Sequence, residues 1–428
     1  MPNKVFENAK WIIVCKVVQS LIQMLIGMIS ARYLGPSNYG LINYAASVAA
    51  FAVPVMQLGL SGTLVQEYVS NPDREGKILG TALVMNMVSA IACIIGVTTF
   101  AAVANCGDKV TVIVCALYGT SLFFQAMEML QYWFQAKLLS KYSSIAMLCS
   151  YVVVSAYKIW LLASEKSVYW FALSHAVEYG VTGLLLLIAY RKNSTQRIGF
   201  SFSMAKELLG KSRYYIVSML MVVLYGKTGS IMLTLICDEA ENGYLATAMT
   251  CTCISIFVFN AIIDTARPVI LDSKKDSQEA YEKNVSRTYS LTTWLSLAQS
   301  IFFTLFAGTV IEILYGAAYL PAVPVLRILC WQSAFSYMGY VRNIWILAEE
   351  KHQSLWKINL CGVIVNILLN ALMIPQWGAC GAALAAVATQ FVTNFLVGFV
   401  MKPIRRNNIL LLRGLNPKYI LELLPAKK

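Results

Sequence analysis

Lys227 sits inside an apolar stretch over 214–236, nine residues from one end and thirteen from the other. An ammonium at that depth of a bilayer costs several kcal/mol unless it is paired or faces water. Seven further ionisable groups occupy similar stretches: Lys16, Glu128, Lys158, His175, Glu178, Asp264 and Arg342. Their types define what they could do. Bases can hold an anionic cargo, and carboxylates or an imidazole can take up and release protons. The sequence offers no clustered His/Asp/Glu in an outer loop and no phosphate-cradling glycine loop, so it predicts a transporter and not an enzyme.

Depth separates these residues. Lys16 is about five residues from the inner end of the first stretch, and Lys158 a similar distance from the outer end of the fifth. Their long stems can snorkel to an interface, and Arg342 has the same escape inward, so anchoring and cavity lining are balanced readings for all three. Asp264 has Arg267 three residues on and is expected to form a local pair. Glu178 and Lys227 are each midway along a span. A direct pair would satisfy both. Alternatively both line a wet cavity, where Lys227 would bind an anionic group of the cargo and Glu178 would titrate. His175 would then assist proton movement, or else serve as a hydrogen-bonded residue between helices. Glu128 is a second carboxylate of this kind.

The elements that must position them are membrane helices. The chain is 58% hydrophobic and only 13% charged, against about 25% charged in an ordinary soluble domain. Twelve windows are long enough to cross as helices: 11–34, 41–64, 78–104, 110–135, 143–163, 168–190, 214–236, 243–266, 291–313, 325–347, 357–374 and 379–401. The 11–34 window is longer than a signal peptide's apolar core and is expected to stay as the first span. With both termini cytoplasmic, 26 bases fall on the inside and only Arg32, Lys109, Lys166 and Arg327 outside. That asymmetry fits membrane orientation and argues against nucleic acid as the reason for the +13 net charge. The eleven cysteines, mostly within apolar windows, form neither a disulfide nor a zinc pattern.

The expected organisation is an N-terminal lobe over 1–190 (helices 1–6), a basic cytoplasmic linker over 191–213, a C-terminal lobe over 214–401 (helices 7–12) and a basic tail over 402–428. The linker's 203–213 part reads as a short interfacial helix, and 409–424 as a semi-amphipathic segment lying on the membrane or a frayed end. The fold class is therefore all-α integral membrane, with twelve transmembrane helices in two six-helix lobes around a central cavity.

Three stretches carry a family resemblance. The first is Ala31-Arg32-Tyr33-Leu34-Gly35-Pro36-Ser37-Asn38-Tyr39-Gly40, followed by Gln57-Leu58-Gly59-Leu60. The second is Ile313-Leu314-Tyr315-Gly316, then Tyr319-Leu320-Pro321-Ala322 and Pro324-Val325-Leu326-Arg327-Ile328-Leu329. The third is Val365-Asn366-Ile367-Leu368-Leu369-Asn370 through Ile374-Pro375-Gln376-Trp377-Gly378 to Gly381-Ala382-Ala383-Leu384-Ala385. In order and spacing the chain resembles the polysaccharide-exporting, O-antigen-flippase branch of the multidrug/oligosaccharidyl-lipid/polysaccharide transporter superfamily. Physically, Gly35-Pro36 and Pro375 to Gly378 read as tight turns between helices, while Gly76, Gly80, Gly378, Gly381, Ala382 and Ala385 allow helix backbones to approach.

The resemblance implies flipping of undecaprenyl-diphosphate-linked oligosaccharide from the cytoplasmic to the outer leaflet by alternating access. It implies no cofactor beyond a proton or sodium gradient, a bacterial cell (inner) membrane location, and a monomer. Partners would be the lipid-linked substrate, membrane lipid, and a polysaccharide polymerase with its chain-length protein. A diphosphate cargo suits Lys227, Lys16, Arg32, Lys158 and Arg342, and Tyr151, Trp160, Tyr225, Trp331 and Trp345 could stack on sugars; Trp170 fits an interfacial belt better. Ion coupling would fall to Glu178, Glu128, His175 and Asp264. Many relatives carry an acid in helix seven two residues after the base, where this chain has Lys227-Thr228-Gly229. The runner-up reading is a cation-coupled multidrug exporter, which would want an acidic cavity and not this basic one.

Overall fold

The computed structural model describes residues 2–416 and 418–421, with side chains from Val14. The side chains of Lys4 and Lys10, and the tail beyond 421 with Lys427 and Lys428, lie outside the described residues. Among those described there is no β-strand, and nine helices are long and apolar enough to cross a membrane.

Two of the nine are broken by a glycine that cannot be helical. Pro2–Met56 is interrupted at Gly35 (φ 72°, ψ 171°) and Gln353–Phe391 at Gly378 (φ 50°, ψ −130°). L side chains avoid these dihedrals, so the chain can turn there only because glycine has no Cβ. Both are the positions where the sequence predicts turns. The Gly378 break is closed by the Glu241 carboxylate, which accepts the Ala379 N–H at 2.6 Å. The 325–347 window is divided too, into Ala322–Leu329 and Gln332–Ala348.

Packing is that of a protein in lipid. Along Glu75–Ala104, Val84, Val88, Ile91 and Ile95 make an exposed apolar stripe at i, i+4, i+7 and i+11. The opposite face buries Ala82, Asn86, Ala90, Cys93 and Val97. An exposed stripe of branched aliphatics with a buried amide opposite it suits hydrocarbon and not water.

The chain divides into two compact units, 1–227 and 228–428, the division falling inside the Phe202–Ile236 helix. In the first unit an apolar core gathers Leu60, Tyr68, Leu79, Trp133, Phe134 and Tyr190. The buried Glu75 accepts the Trp133 indole N–H at 2.7 Å and pairs with Lys137. In the second unit Phe259, Tyr281, Tyr289, Tyr337 and Trp345 form the core together with Ile404, Leu410 and Leu411.

Three expectations change. The 203–213 segment is no separate interfacial helix: Phe202–Ile236 is one continuous helix of 35 residues, about 52 Å long. Its start is held against the Gly59 turn, where Ser212 Oγ donates to Leu58 O at 2.7 Å and Lys211 pairs with Glu67 at 2.7 Å. The tail does not lie apart from the fold either. Its Arg405–Gly414 helix docks into the core of the second unit, and Tyr289 donates to Asn407 Oδ1 at 2.9 Å. Finally, Gly76 and Gly80 admit an extended segment and not a helix. Cβ atoms there would fall 2.2 Å from Arg197 O and 2.3 Å from Gly199 O.

Candidate functional site

Four segments of the first unit bring ionisable side chains together. The Lys109–Gly119 helix supplies Tyr118, the 3-10 turn Ala126–Met129 supplies Glu128, Ser140–Ala163 supplies Tyr151 and Lys158, and Val168–Asn193 supplies His175, Glu178 and Tyr179. The close fit of the turn depends on Gly183, where a Cβ would meet Met127 Cβ at 2.7 Å. This approach brings Glu128 toward the Val168–Asn193 helix.

Glu178 is the centre of the group. His175 Nδ1 stands 3.7 Å from Glu178 Oε2, so the two residues share a helix face. That separation exceeds a hydrogen bond and becomes an ion pair only when the imidazole is protonated. Tyr118 packs on the imidazole with ring centroids 4.6 Å apart. Ser150 and Thr182 both donate to the Glu178 carbonyl, at 2.6 and 2.9 Å, which fixes the backbone beneath the carboxylate. The ammonium of Lys158 lies within electrostatic reach of both Glu178 and His175, and the charges of Glu178 and Glu128 also bear on each other. A cation acting on Glu178 thus comes from the Ser140–Ala163 helix. The His175 and Glu178 side chains remain 27% and 19% exposed, so neither is sealed in the core. Two carboxylates, an imidazole and one ammonium in an apolar bundle make an arrangement that can hold, exchange or neutralise a proton.

The other expected site residues are dispersed. Lys227 is exposed, on the helix Phe202–Ile236. Lys16 and Arg32 are exposed on the first helix, Arg32 three residues before the Gly35 break. Asp264 and Arg267 are both exposed, and among the described residues no ion pair joins them; pairing two exposed side chains gains too little to order them. Of the aromatics, Tyr151 belongs with the charged group. Trp345 is buried in the second core, while Trp160, Trp170 and Trp331 are exposed.

Arg342 is no snorkelling residue. It is 5% exposed, and its Nη1 donates to the Thr393 carbonyl at 2.7 Å. Thr393 lies in a π-helical turn, Val392–Leu396, where widening displaces carbonyls from their usual partners. Arg342 accordingly completes the backbone of that turn.

Around it lies a buried amide and hydroxyl network absent from the sequence expectations. Asn370 Nδ2 donates to Asn366 O and Oδ1 at 2.8 and 3.0 Å, and Asn366 Nδ2 to Thr389 Oγ1 at 3.3 Å. Asn394 donates to Gln390, and Gly339 leaves room for the Asn394 side chain. The signal for it was present in polar residues at i, i+4 inside apolar windows, 366/370 and 389/393. Gly229 belongs here as well. A Cβ at 229 would fall 3.3 Å from Asn370 Oδ1, a buried acceptor with no hydrogen-bond donor. The chain therefore brings an empty Cα and a neutral amide to the place where the resemblance expects a carboxylate. Among the described residues no group of three or more His, Cys, Asp or Glu could hold a metal.

An apolar helical bundle with interrupted helices and intramembrane charge defines a membrane transporter scaffold, and comparisons agree. The fold matches the lipid II flippase MurJ in its inward closed conformation (TM-score 0.67, 12% identity, 97% of this chain and 93% of that one). It also matches an inward-facing multidrug resistance MATE family transporter of the MOP superfamily (TM-score 0.66, 15% identity, 92% and 96%). A probable low-salt glycan biosynthesis flippase of Haloferax volcanii is 23% identical over 228 residues, 51% of this chain and 48% of the relative. The chain spans about half the length of the curated relatives it matches. Residues 29–324 match the polysaccharide biosynthesis protein family, and the chain belongs to it.

Proposed function

We propose that this protein is a flippase that carries undecaprenyl-diphosphate-linked oligosaccharide units across the bacterial cell membrane, from the cytoplasmic to the outer leaflet, by alternating access. The observation that carries the reading is the family match over 29–324 in a chain whose apolar helices hold charge repeatedly. The relative in Haloferax volcanii bears the name of a glycan biosynthesis flippase, and its similarity supports the same class of cargo. In this reading the chain crosses twelve times with both termini cytoplasmic, each glycine-broken helix counting as two crossings and Ala322–Ala348 as one. Lys227 binds the cargo's diphosphate. Glu178 and His175 couple transport to a proton gradient, a choice favoured over sodium because Gly229 brings no carboxylate to Asn370.

The test is deletion of the gene in a host that needs its surface polysaccharide. The expected result is a lipid-linked oligosaccharide stranded on the cytoplasmic leaflet. Unchanged surface polysaccharide would sink the reading. In complementation, Lys227→Ala is expected to insert normally and fail to export, and full export by it would remove Lys227 from the site while leaving the flippase reading intact.

A further inference from the structure

Residues 194–201 run as an extended strap along the start of the Glu75–Ala104 helix. The Gly199 N–H donates to Gly76 O at 3.1 Å, and the Ser201 N–H to Thr81 Oγ1 at 3.1 Å. Gln196 accepts the Gly76 N–H at 2.9 Å and donates to Pro72 O at 2.8 Å. Four hydrogen bonds and two glycines without Cβ atoms fix where the strap's side chains go.

One consequence is a cleft. Asp73, Arg74, Lys77, Gln196 and Arg197 line an open depression of about 340 Å³. Three bases face one acid there. All three bases are exposed, so they are not spent inside the core. Lys77 is steered along the strap, its Cγ 3.8 Å from where a Gly199 Cβ would stand. Glu207 is within electrostatic reach of Arg74, but its hydrogen bond goes to Lys211 at 2.8 Å.

The second consequence is depth. Ile198 and Phe200 on the strap, and Phe202 at the start of the following helix, are 39%, 52% and 79% exposed. An exposed apolar row beside a cluster of bases is the pattern of a segment seated at a membrane surface. On the helix itself, the lipid-facing stripe begins at Val84, seven residues and about 10 Å beyond Lys77. The bases therefore stand at headgroup level, with apolar side chains beside and beyond them.

We propose that this cleft binds the phosphate of an anionic lipid headgroup through Arg74, Lys77 and Arg197. The chemistry is that of a phosphate ester held by a guanidinium pair and an ammonium. A soluble phosphate offers the same group, and the test separates the two sources. The site is independent of the transport reading: it uses neither Lys227 nor Glu178, and either proposal can fail alone.

The test uses the purified full chain in neutral micelles, titrated with phosphatidylglycerol and, as the uncharged control, phosphatidylcholine. Arg74→Gln/Lys77→Gln/Arg197→Gln changes only exposed side chains, and Arg191→Gln/Lys402→Gln/Arg405→Gln removes the same charge elsewhere. At about fivefold per base, the first triple is expected to weaken phosphatidylglycerol binding by well over tenfold. The second should weaken it far less, since it leaves the cleft intact. Persistence of the bound lipid in millimolar inorganic phosphate assigns the site to the headgroup, and displacement assigns it to phosphate from either source. Equal losses in the two triples, or parental affinity in the first, would overturn the proposal, because attraction would then be diffuse.

Discussion

Arg342→Met separates a fold role from a cargo role. Methionine keeps most of the stem volume and removes the guanidinium, leaving the buried Thr393 carbonyl without the bond it now accepts at 2.7 Å. A hydrogen bond to a charged group contributes about 1.5–3 kcal/mol. Relief of the buried charge's desolvation offsets part of that loss, so a net cost of about 2 kcal/mol is expected. A domain of about 200 residues shifts by about 2–4 °C per kcal/mol, which places the drop in melting temperature at about 4–8 °C. Arg342→Lys keeps the charge but not the planar fork, and is expected to fall between parent and Met. The assay is thermal stability of the purified protein in detergent, read by size-exclusion chromatography alongside export. An Arg342→Met protein that melts with the parent yet fails to export would refute the reasoning and return Arg342 to the cargo-binding residues.

Other substitutions probe other joints. Tyr289→Phe removes the 2.9 Å bond to the buried Asn407 and should cost about 1–2 kcal/mol, with faster amide exchange in Arg405–Gly414. Gly80→Leu would drive its Cβ into Gly199 O and free the strap, read as faster exchange of the Gly199 amide while the Glu75–Ala104 helix stays protected. Asp108, outside the spans, accepts the Thr111 side-chain and backbone donors, which hold its carboxyl below the usual carboxylate range. Its capping contribution is therefore present above about pH 4 and is lost as pH falls through the depressed folded value; Thr111 amide protection should decline in acid, and Asp108→Asn should remove that dependence. Finally, Glu178→Gln should abolish pH-gradient-driven transport in proteoliposomes while Asn370→Ala retains the response to the gradient. A Glu178→Gln protein that still follows the pH gradient would exclude it from coupling.

How much of this was legible depended on which coordinate mattered. The turns at Gly35 and Gly378 could be read directly, because a glycine within three residues of a proline between two apolar windows has few other uses. Position along an apolar window could be read too, which is why Glu178 and Lys227 stand out among the charged residues. Neighbours across helices could not. Lys158 looked like a residue near a helix end, and only the packing of Ser140–Ala163 on Val168–Asn193 turns it toward Glu178. Glu128 depends likewise on a turn admitted by Gly183, which no window marks. Arg342 was misplaced for a related reason: distance from the helix end says whether a side chain can escape, and nothing about a π turn on another helix that needs its guanidinium. The tail reads as semi-amphipathic, which suggests a membrane surface or a frayed end, although a protein core satisfies the same pattern.

The charged cluster of the first unit and the polar network of the second differ in what they can sense. The first holds groups that change charge, Glu128, His175 and Glu178, with Lys158 close enough to bias them. The network in the second unit is built of amides and hydroxyls, and its one cation is tied to a backbone carbonyl. An amide has no protonation equilibrium near neutral pH, so the Asn366–Asn370 network cannot respond to a proton gradient, whatever else it binds. Gly229 removes the carboxylate that would have changed this. Under proton coupling the Asn366–Asn370 network supplies no proton acceptor, and it is better understood as what lets its helices pack, with Arg342 tying the Val392–Leu396 turn in place. That division of labour follows from side-chain chemistry and puts the coupling question on Glu178.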